Sequence, residues 1–379
     1  QGTASLTPVM AYVETLLAEI ALVAAALPPG VRLARLHWGG GTPTLLPPAE
    51  IARLGRALRA ALPLAPGAEF SVEIDPGEID DARLDALAEA GLTRASIGVQ
   101  DFDPLIQAAI GRHQPYALTR DAVEAIRRRG VTSLNADILY GLPHQTEARI
   151  AASVRQLISL SPDRVALYGY AHVPWMSRRQ QMIPTEAIPG PEERLALYET
   201  AAAMFAEAGY EAIGIDHFAR PGDSLAVAAR GGHLRRNFQG YTDDRAGVLV
   251  GLGASAISRM PQGYAQNAPA TAHYTRAIRE RRLATVLGHA FGGEDLLRGR
   301  IIEALMCDFR VDRAELVARF PAAEVDAILD VGARPFAGLL HRDAAGLAIP
   351  PAARPLTRMI ARAFDAYDAA SPAQHSVAV

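Results

Sequence analysis

The chain has 379 residues, half of them hydrophobic, which is enough to bury a substantial core, and its formal net charge is only -3. Charges of both signs are interspersed along the chain, which argues against nucleic acid as a main partner. There is one cysteine, Cys307, and no lysine, so a disulfide framework, a Walker-type phosphate loop and a lysine Schiff base are excluded.

The first apolar segment lies near the start of the chain. Its longest uninterrupted stretch, residues 20–29, is too short to cross a bilayer and predicts an alanine-rich helix that ends at Pro28 and Pro29. We recognise no membrane span or export signal and expect a cytoplasmic protein.

Short strand-like runs then alternate with amphipathic helical patterns as far as residue 220. The predicted strands are Arg32–Trp38, Phe70–Asp75, Arg94–Val99, Ser133–Leu139, Arg164–Tyr170 and Ala212–Asp216. Such repeats predict an α/β fold with parallel strands, in a barrel or a doubly wound sheet. In either architecture the chemistry collects at the carboxyl ends of the strands.

The later sequence suggests two more parts. We predict a β/α domain over residues 1–220, an extension on the substrate side over 221–290, and a helical, winged-helix-like domain over 291–379. Residues 290–379 contain ten arginines and twelve acidic residues, so we expect a lid or a structural cap there rather than a DNA-reading module.

Three consecutive glycines, Gly39, Gly40 and Gly41, follow the first predicted strand in "LHWGGGTPT". Glycines at this position let a ligand approach the backbone and leave amide groups free to donate hydrogen bonds. The spacing matches no phosphate-binding motif, so the glycines could instead serve the polar end of an amino acid. A tight turn without a ligand is the competing interpretation.

Carboxylates occupy the ends of neighbouring predicted strands. Glu73 and Asp75 alternate in "SVEIDP" and therefore share one face, and Asp137 in "NADILYG" follows the same logic. Arg112 or a ligand ammonium could balance such a carboxylate. Structural carboxylate–arginine pairs explain the pattern equally well.

Two further clusters have weaker signals. His37, His172 and His217 stand near three strand ends, but their spacing is unlike that of a metal site, and we predict no metal ligands among them. A set of arginines could form a cationic rim for a polycarboxylate, or simply a solvated surface: Arg178, Arg179, Arg230, Arg235 and Arg236.

Seven motifs occur in one order that resembles a known family. They are "LHWGGGTPT", "EFSVEIDP", "SIGVQDFD", "DILYGLPHQT", "YGYAHVP", "GIDHFARPGDSLAVA" and "RRNFQGYT". Together they resemble the oxygen-independent coproporphyrinogen III oxidases, which are radical S-adenosylmethionine enzymes of haem biosynthesis. The likeness runs from about residue 9 to 369, and the last two motifs distinguish the oxidases from related haem chaperones.

The resemblance implies an open, partial β/α barrel of the radical S-adenosylmethionine type with a mostly helical C-terminal domain. It also implies a reaction in which two propionates of coproporphyrinogen III become the vinyl groups of protoporphyrinogen IX. A radical derived from S-adenosylmethionine takes a hydrogen, carbon dioxide leaves, and an acceptor takes the remaining electron. The electron donor and acceptor are unidentified, and we expect a monomer.

The family binds two S-adenosylmethionine molecules and one 4Fe-4S cluster. By the resemblance, the cofactor contacts fall on Gly40, Gly41, Thr42, Glu73, Gln100, Arg112, Asp137, Ala171 and Ile257. The glycines would clear space for the amino-acid end of the cofactor, and Glu73 would meet its ammonium or another polar group.

One family feature is missing from the sequence. The family carries C-x-x-x-C-x-x-C after the first barrel strand, where three thiolates hold the cluster. Here Gln1 falls where the segment after that loop would begin, and Cys307 is far along the chain. We expect a truncated form of an ordinary enzyme, without the first strand, rather than a cluster-free descendant. We also expect that this chain neither assembles the cluster nor cleaves S-adenosylmethionine.

Two other functions can be weighed against this one. A haem or porphyrin chaperone related to the same family would bind haem through a histidine or Cys307, but the "RNFQGYT" segment argues against it. We reject a nucleotide-dependent α/β enzyme because the sequence has no lysine and no fitting phosphate-binding motif.

Overall fold

A computed structural model describes residues 6–175 and 180–367. The helices, in chain order, are α1 (Leu6–Ala26), α2 (Pro48–Ala61), α3 (Asp81–Glu89), α4 (Pro104–Ala109), α5 (Tyr116–Arg128), α6 (Glu147–Ser159), α7 (Pro191–Glu207), α8 (Ser224–Arg230), α9 (Thr271–Arg279), α10 (Asp295–Asp308), α11 (Arg313–Val317), α12 (Ala322–Ala333) and α13 (Thr357–Arg362). The strands are β1 (Leu33–Trp38), β2 (Leu64–Ile74), β3 (Arg94–Gln100), β4 (Ser133–Tyr140), β5 (Arg164–Gly169), β6 (Glu211–Ile213), β7 (His217–Ala219), β8 (Arg235–Asn237), β9 (Gly240–Thr242), β10 (Ile257–Met260), β11 (Gly263–Asn267), β12 (Thr285–Ala290), β13 (Arg310–Asp312), β14 (His341–Asp343) and β15 (Gly346–Ala348).

The main sheet has seven strands in the order β1-β2-β3-β4-β5-β7-β6. β1 pairs in parallel with β2, and β2 with β3, as expected for repeated β/α units. β1 lies at one edge of the sheet.

The prediction of one strand over Ala212–Asp216 is wrong. Two short strands, β6 and β7, occupy this region, and β7 pairs antiparallel with both β5 and β6. Gly214 makes the turn between them with a φ of 57°. A Cβ at Gly214 would lie 2.1 Å from the Tyr241 ring, so the turn needs glycine both for its backbone conformation and for this close approach.

Contacts divide the chain into two compact units. The first consists of Gln1–Gly98, Ala117–Asn135 and Asp244–Phe291, and the second of Val99–Tyr116, Ala136–Asp243 and Gly292–Val379. Each unit therefore draws on separate segments of the chain. The predicted division at residues 220 and 290 stays a prediction.

In the first unit, α1 is longer than the apolar stretch at residues 20–29 suggested. By length and composition alone, it is the one helix among the described residues that could cross a membrane. In this fold Val13 and Ile20 pack with Leu54 and Leu58 of α2, so one face of the helix contributes to a hydrophobic core.

In the second unit, the C-terminal region contains helices and a small β-sheet. β13, β15 and β14 form a small antiparallel sheet, and α10, α12 and α13 supply apolar side chains to the core around it. Ile301, Leu329 and Phe364 are fully buried in this core. The winged-helix-like assignment of residues 291–379 stays a prediction.

Candidate functional site

The glycine segment lies directly after β1 in the first unit. A Cβ at Gly39 would lie 2.5 Å from His37 Nε2 and 2.6 Å from the Glu73 carboxyl group. The protein itself therefore excludes a side chain at Gly39, because these two residues already fill the space beside it.

Gly40 and Gly41 are different. A Cβ at either position would meet no protein atom within 4 Å, so the space beside both glycines is open. Gly40 also has a φ of 75°, which favours glycine. Thr42 precedes a short 3-10 helix and makes no capping bond through its hydroxyl. This part of the segment can admit a ligand to the backbone.

Glu73 in β2 is tied to the same segment. The Gly40 amide donates to Glu73 Oε2 at 3.2 Å, and His37 Nε2 lies 3.4 Å from Glu73 Oε1. His37 Nδ1 in turn is hydrogen-bonded to Ser71 Oγ at 2.8 Å. Because the Glu73 side chain is 46% exposed, its carboxylate is held in place and can still accept from a ligand ammonium.

Ile257 begins β10, also in the first unit. The loop before β10 is hydrogen-bonded to Glu19, a residue that the sequence analysis missed. Glu19 of α1 is 2% exposed and accepts hydrogen bonds from Gly253 N, Asn267 Nδ2 and Tyr274 Oη at 2.6–2.7 Å. Burial raises the pKa of Glu19, against the effect of these bonds. The sequence signal for a buried acid was that Glu19 is the single acidic residue in the apolar stretch "LLAEIALV".

Gln100 ends β3 in the second unit with a φ of 68°. The next residue, Asp101, is fully buried and was also missed. It accepts from Asp103 N and Ser153 Oγ at 2.7 Å and from Gln145 Nε2 at 2.8 Å, and burial raises its pKa. The motif "QDFD" is thus built around a buried carboxylate that fixes the backbone beside Gln100.

Arg112 lies shortly after α4 and is positioned by the same segment. Its Nε donates to Gln114 Oε1 at 2.8 Å. Buried Gln107 donates to the carbonyls of Asp101 and Gln114, and accepts from Gln114 N. These bonds join the end of β3 to the Arg112 loop within this unit.

Asp137 and Ala171 belong to the second unit as well. Asp137 is half-buried in β4, where fully buried Ala136 and Ile138 alternate with it, so it lies on the face opposite those two. Ala171 follows β5, and its carbonyl accepts from Gln180 at 3.1 Å. The structure thus places Gly40, Gly41, Thr42, Glu73 and Ile257 in one unit and Gln100, Arg112, Asp137 and Ala171 in the other.

The three histidines have separate protein partners. His37 contacts Ser71 and Glu73, His172 contacts Tyr170 and Thr185, and His217 contacts Asp216. Within residues 6–175 and 180–367, no group of three or more histidine, cysteine or acidic residues could hold a metal ion.

The structure describes three of the five arginines of the predicted cationic rim. Arg178 and Arg179 lie outside the described residues. Arg230 pairs with Glu211 at the surface, and Arg235 donates to the carbonyl of Leu234. The Arg236 guanidinium lies 5.7 Å from the centre of the Tyr241 ring. Arg230 therefore behaves as a solvated surface residue rather than as part of a rim.

The residues present fit one of the two expected cofactors. The open space at Gly40 and Gly41, with the fixed carboxylate of Glu73, suits the amino-acid end of S-adenosylmethionine. They do not fit a 4Fe-4S cluster, which needs three thiolates. Cys307 is 5% exposed in α10, and burial raises its pKa to about 12, so it stays a protonated thiol.

Comparisons with known proteins bear on the family of the chain. Residues 9–157 match the Radical SAM superfamily. The oxygen-independent coproporphyrinogen III oxidase of Paracoccus denitrificans is 63% identical over 382 residues, covering 100% of this chain and 84% of the relative. That of Escherichia coli is 38% identical over 342 residues, covering 89% of this chain and 75% of the relative.

A solved structure extends the likeness to the fold. The structure of coproporphyrinogen III oxidase (HemN) from Escherichia coli, a radical SAM enzyme, has a TM-score of 0.92 and 37% identity over 96% of this chain and 85% of that chain. The expected α/β fold of the radical S-adenosylmethionine type is therefore confirmed. The chain belongs to the oxygen-independent coproporphyrinogen III oxidase family of radical S-adenosylmethionine enzymes.

Proposed function

We propose that this chain binds S-adenosylmethionine and coproporphyrinogen III for the oxygen-independent oxidative decarboxylation that gives protoporphyrinogen IX in haem biosynthesis. The observation that carries the proposal is the Glu73 carboxylate, which the Gly40 amide fixes beside two glycines that leave open space. Such a carboxylate suits the ammonium of an amino acid, and the activity is the one named for the relatives.

The nine predicted contacts have distinct roles in this proposal. Gly40, Gly41 and Thr42 offer main-chain groups and a hydroxyl to the cofactor, and Glu73 accepts from its ammonium. Gln100, Arg112, Asp137, Ala171 and Ile257 supply the remaining contacts, for two cofactor molecules in all. In this family S-adenosylmethionine supplies the radical that takes a hydrogen from the propionate.

The thiolates of a 4Fe-4S cluster are not among the 379 residues, so no step through a cluster is derived for this chain. The electron donor and acceptor are separate molecules of unassigned identity in this proposal. A monomeric state and a cytoplasmic location belong to it as well.

Isothermal titration with S-adenosylmethionine tests the proposal on the chain as it is. We expect saturable binding that Glu73→Gln weakens about tenfold, because the variant loses a charge-assisted bond of roughly 1.5 kcal/mol or more. Glu69→Gln is the matched control in the same strand, where Glu69 pairs with Arg35 and Arg94. No measurable binding by the unaltered chain would refute the cofactor assignment.

The alternative of a haem chaperone can be examined in the same way. Cys307 fits poorly as an axial ligand because burial keeps its thiol protonated. A titration with haem that saturates at one equivalent, together with absent binding of S-adenosylmethionine, would favour the chaperone over the oxidase.

A further inference from the structure

One arginine of the second unit reaches the ends of two strands that lead to predicted cofactor contacts. Arg194 lies near the start of α7, and its side chain contacts the carboxyl ends of β4 and β5. β4 carries Asp137, and β5 leads directly to Ala171. The sequence analysis missed Arg194, because none of the seven motifs includes it.

The start of α7 fixes the backbone from which Arg194 extends. Pro191 is the first helical residue, and Gly190 before it donates through its amide to Glu193 Oε2 at 2.7 Å. The Arg194 amide donates to the Gly190 carbonyl at 2.8 Å. A proline in the first position and an acid in the first turn both favour a helix start here.

Two glycines make room for the guanidinium. A Cβ at Gly141 would lie 2.6 Å from Arg194 Nη1, and a Cβ at Gly169 would lie 3.0 Å from Tyr140 Oη and 3.1 Å from Arg194 Nη2. The guanidinium carbon lies 5.7 Å from the centre of the Tyr140 ring. Gly141 belongs to "DILYGLPHQT" and Gly169 to "YGYAHVP", so both motifs leave out a side chain beside the same guanidinium.

The guanidinium holds the peptide group that precedes Ala171. Arg194 Nη1 donates to the Tyr170 carbonyl at 2.9 Å, and the Tyr170 amide donates to the Tyr140 carbonyl at 2.8 Å. The Tyr170 carbonyl and the Ala171 N–H belong to one peptide group. In a planar trans peptide these two groups point in opposite directions, and no cis peptide occurs among the described residues. Arg194 therefore sets the direction of the Ala171 N–H.

The next peptide group is held from the other side. The Ala171 carbonyl accepts from Gln180 Nε2 at 3.1 Å, and Gln180 Oε1 accepts from Val173 N at 2.5 Å. Ala171 itself is exposed. The carbonyls on both sides of this residue are thus fixed, while a ligand can still approach its backbone.

The choice of an arginine has a cost. Burial lowers the pKa of Arg194, because the guanidinium loses hydration in this position. An apolar side chain could pack against Tyr140 without that loss. The hydrogen bond to the Tyr170 carbonyl, which only a donor can make, accounts for the residue type better than packing does.

We propose that Arg194 is a positioning residue, which holds the Tyr170 carbonyl and thereby directs the Ala171 N–H toward an acceptor atom of S-adenosylmethionine. This inference rests on the proposed function, in which Ala171 is one of the cofactor contacts. Arg194 acts through the backbone and does not touch the cofactor itself.

Isothermal titration with S-adenosylmethionine measures the effect on binding. We expect Arg194→Gln to weaken binding about tenfold, because its shorter, neutral side chain loses the charge-assisted bond to the Tyr170 carbonyl. Arg194→Lys keeps a cationic donor and should recover part of the affinity. Arg155→Gln, on the exposed surface of α6 in the same unit, is the matched control and should bind like the unaltered chain.

A spectroscopic readout separates positioning from a general loss of stability. A hydrogen bond to a carbonyl deshields the nitrogen of the same peptide group, so the Ala171 ¹⁵N resonance of the free protein should move upfield in Arg194→Gln and return in part in Arg194→Lys. Phe364→Leu in the C-terminal core should lower stability and leave this resonance unchanged. An unchanged Ala171 resonance in Arg194→Gln would overturn the proposal.

Gly169→Ala provides a second test if Arg194→Gln fails to fold. The new Cβ keeps Arg194 but presses on its guanidinium, so the Ala171 resonance should move and S-adenosylmethionine should bind more weakly. Neither change in Gly169→Ala would overturn the proposal. If the unaltered chain binds no S-adenosylmethionine, the proposed function and this inference both fail. Binding that Glu73→Gln weakens and Arg194→Gln leaves intact would overturn this inference alone.

Discussion

Gln145 donates a hydrogen bond of 2.8 Å to Asp101 in the interior of the second unit, where neither residue is more than 5% exposed. The Gln145 carbonyl oxygen also accepts from the amides of Gly141 and Leu142 just after β4. The same amide side chain therefore joins the loop after β3 to the loop after β4. This relationship explains why "QDFD" and "YGLPHQT" both carry polar residues that never reach solvent.

Gln145→Leu should destabilise the protein. The substitution leaves one oxygen of Asp101 and two backbone amides without this partner in a buried site, and we expect the free energy of unfolding to fall by about 3 kcal/mol. Urea unfolding measures the change. Gln156→Leu on exposed α6 surface is the control and should stay within about 0.5 kcal/mol of the unaltered chain. Equal stabilities for both variants would show that the Asp101 contact is dispensable.

Glu19 should make stability depend on pH with an unusual sign. Its pKa is raised in the folded state, so the stability it contributes is present below the unfolded value of 4.5 and is lost as the pH rises through the folded pKa. Relative to Glu19→Gln, the unaltered chain should lose unfolding free energy as the pH is raised from 4.5 upward.

Urea unfolding at a series of pH values measures this difference. Glu14 on the same helix is the control, because its ion pair with Arg53 lowers its pKa. Relative to Glu14→Gln, the unaltered chain should therefore gain unfolding free energy as the pH rises, which is the opposite sign. If the difference in unfolding free energy between the unaltered chain and Glu19→Gln did not vary with pH, the argument that burial raises the pKa of Glu19 would be contradicted.

The glycine segment gives a matched pair of variants. Gly39→Ala would bring a Cβ against His37 and the Glu73 carboxyl, so Glu73 must move and lose its bond from Gly40. Gly41→Ala would meet no protein atom. We expect both to weaken S-adenosylmethionine binding about tenfold by titration, but only Gly39→Ala to displace the Glu73 carboxyl resonance in NMR spectra of the free protein. Full affinity in Gly41→Ala would show that the open space is not used by the cofactor.

The absence of a cysteine motif from the 379 residues leads to a chemical prediction. After anaerobic treatment with iron and sulfide, this chain should show no 4Fe-4S absorption and should form no 5′-deoxyadenosine from S-adenosylmethionine under reducing conditions. The measurement is chromatography of the products, with a full-length relative as the positive control. Substantial 5′-deoxyadenosine from this exact polypeptide would show that other ligands can hold the cluster.

Much of the fold could be predicted because periodicity and glycine punctuation are local signals. The strands and the loops after them followed from alternating residues such as those around Glu73 and Asp137. The β6–β7 turn did not, since it depends on Gly214 packing against Tyr241, which lies on another strand. Local sequence carries no information about such a contact.

In the candidate site, too, local features could be predicted and long-range contacts could not. Glycines and carboxylates at strand ends could be recognised by residue type, and the family resemblance supplied the remaining cofactor contacts. The supporting residues could not be found in this way. Asp101 meets Gln145 across 44 residues and Glu19 meets Asn267 across 248, so only the folded chain brings these groups together.

A crystal structure of this chain with S-adenosylmethionine tests the central claim most directly. The account predicts the cofactor ammonium within hydrogen-bond distance of Glu73, with its amino-acid end beside Gly40 and Gly41. Density for the cofactor elsewhere, with the Glu73 carboxylate still bound only to Gly40 and His37, would contradict it.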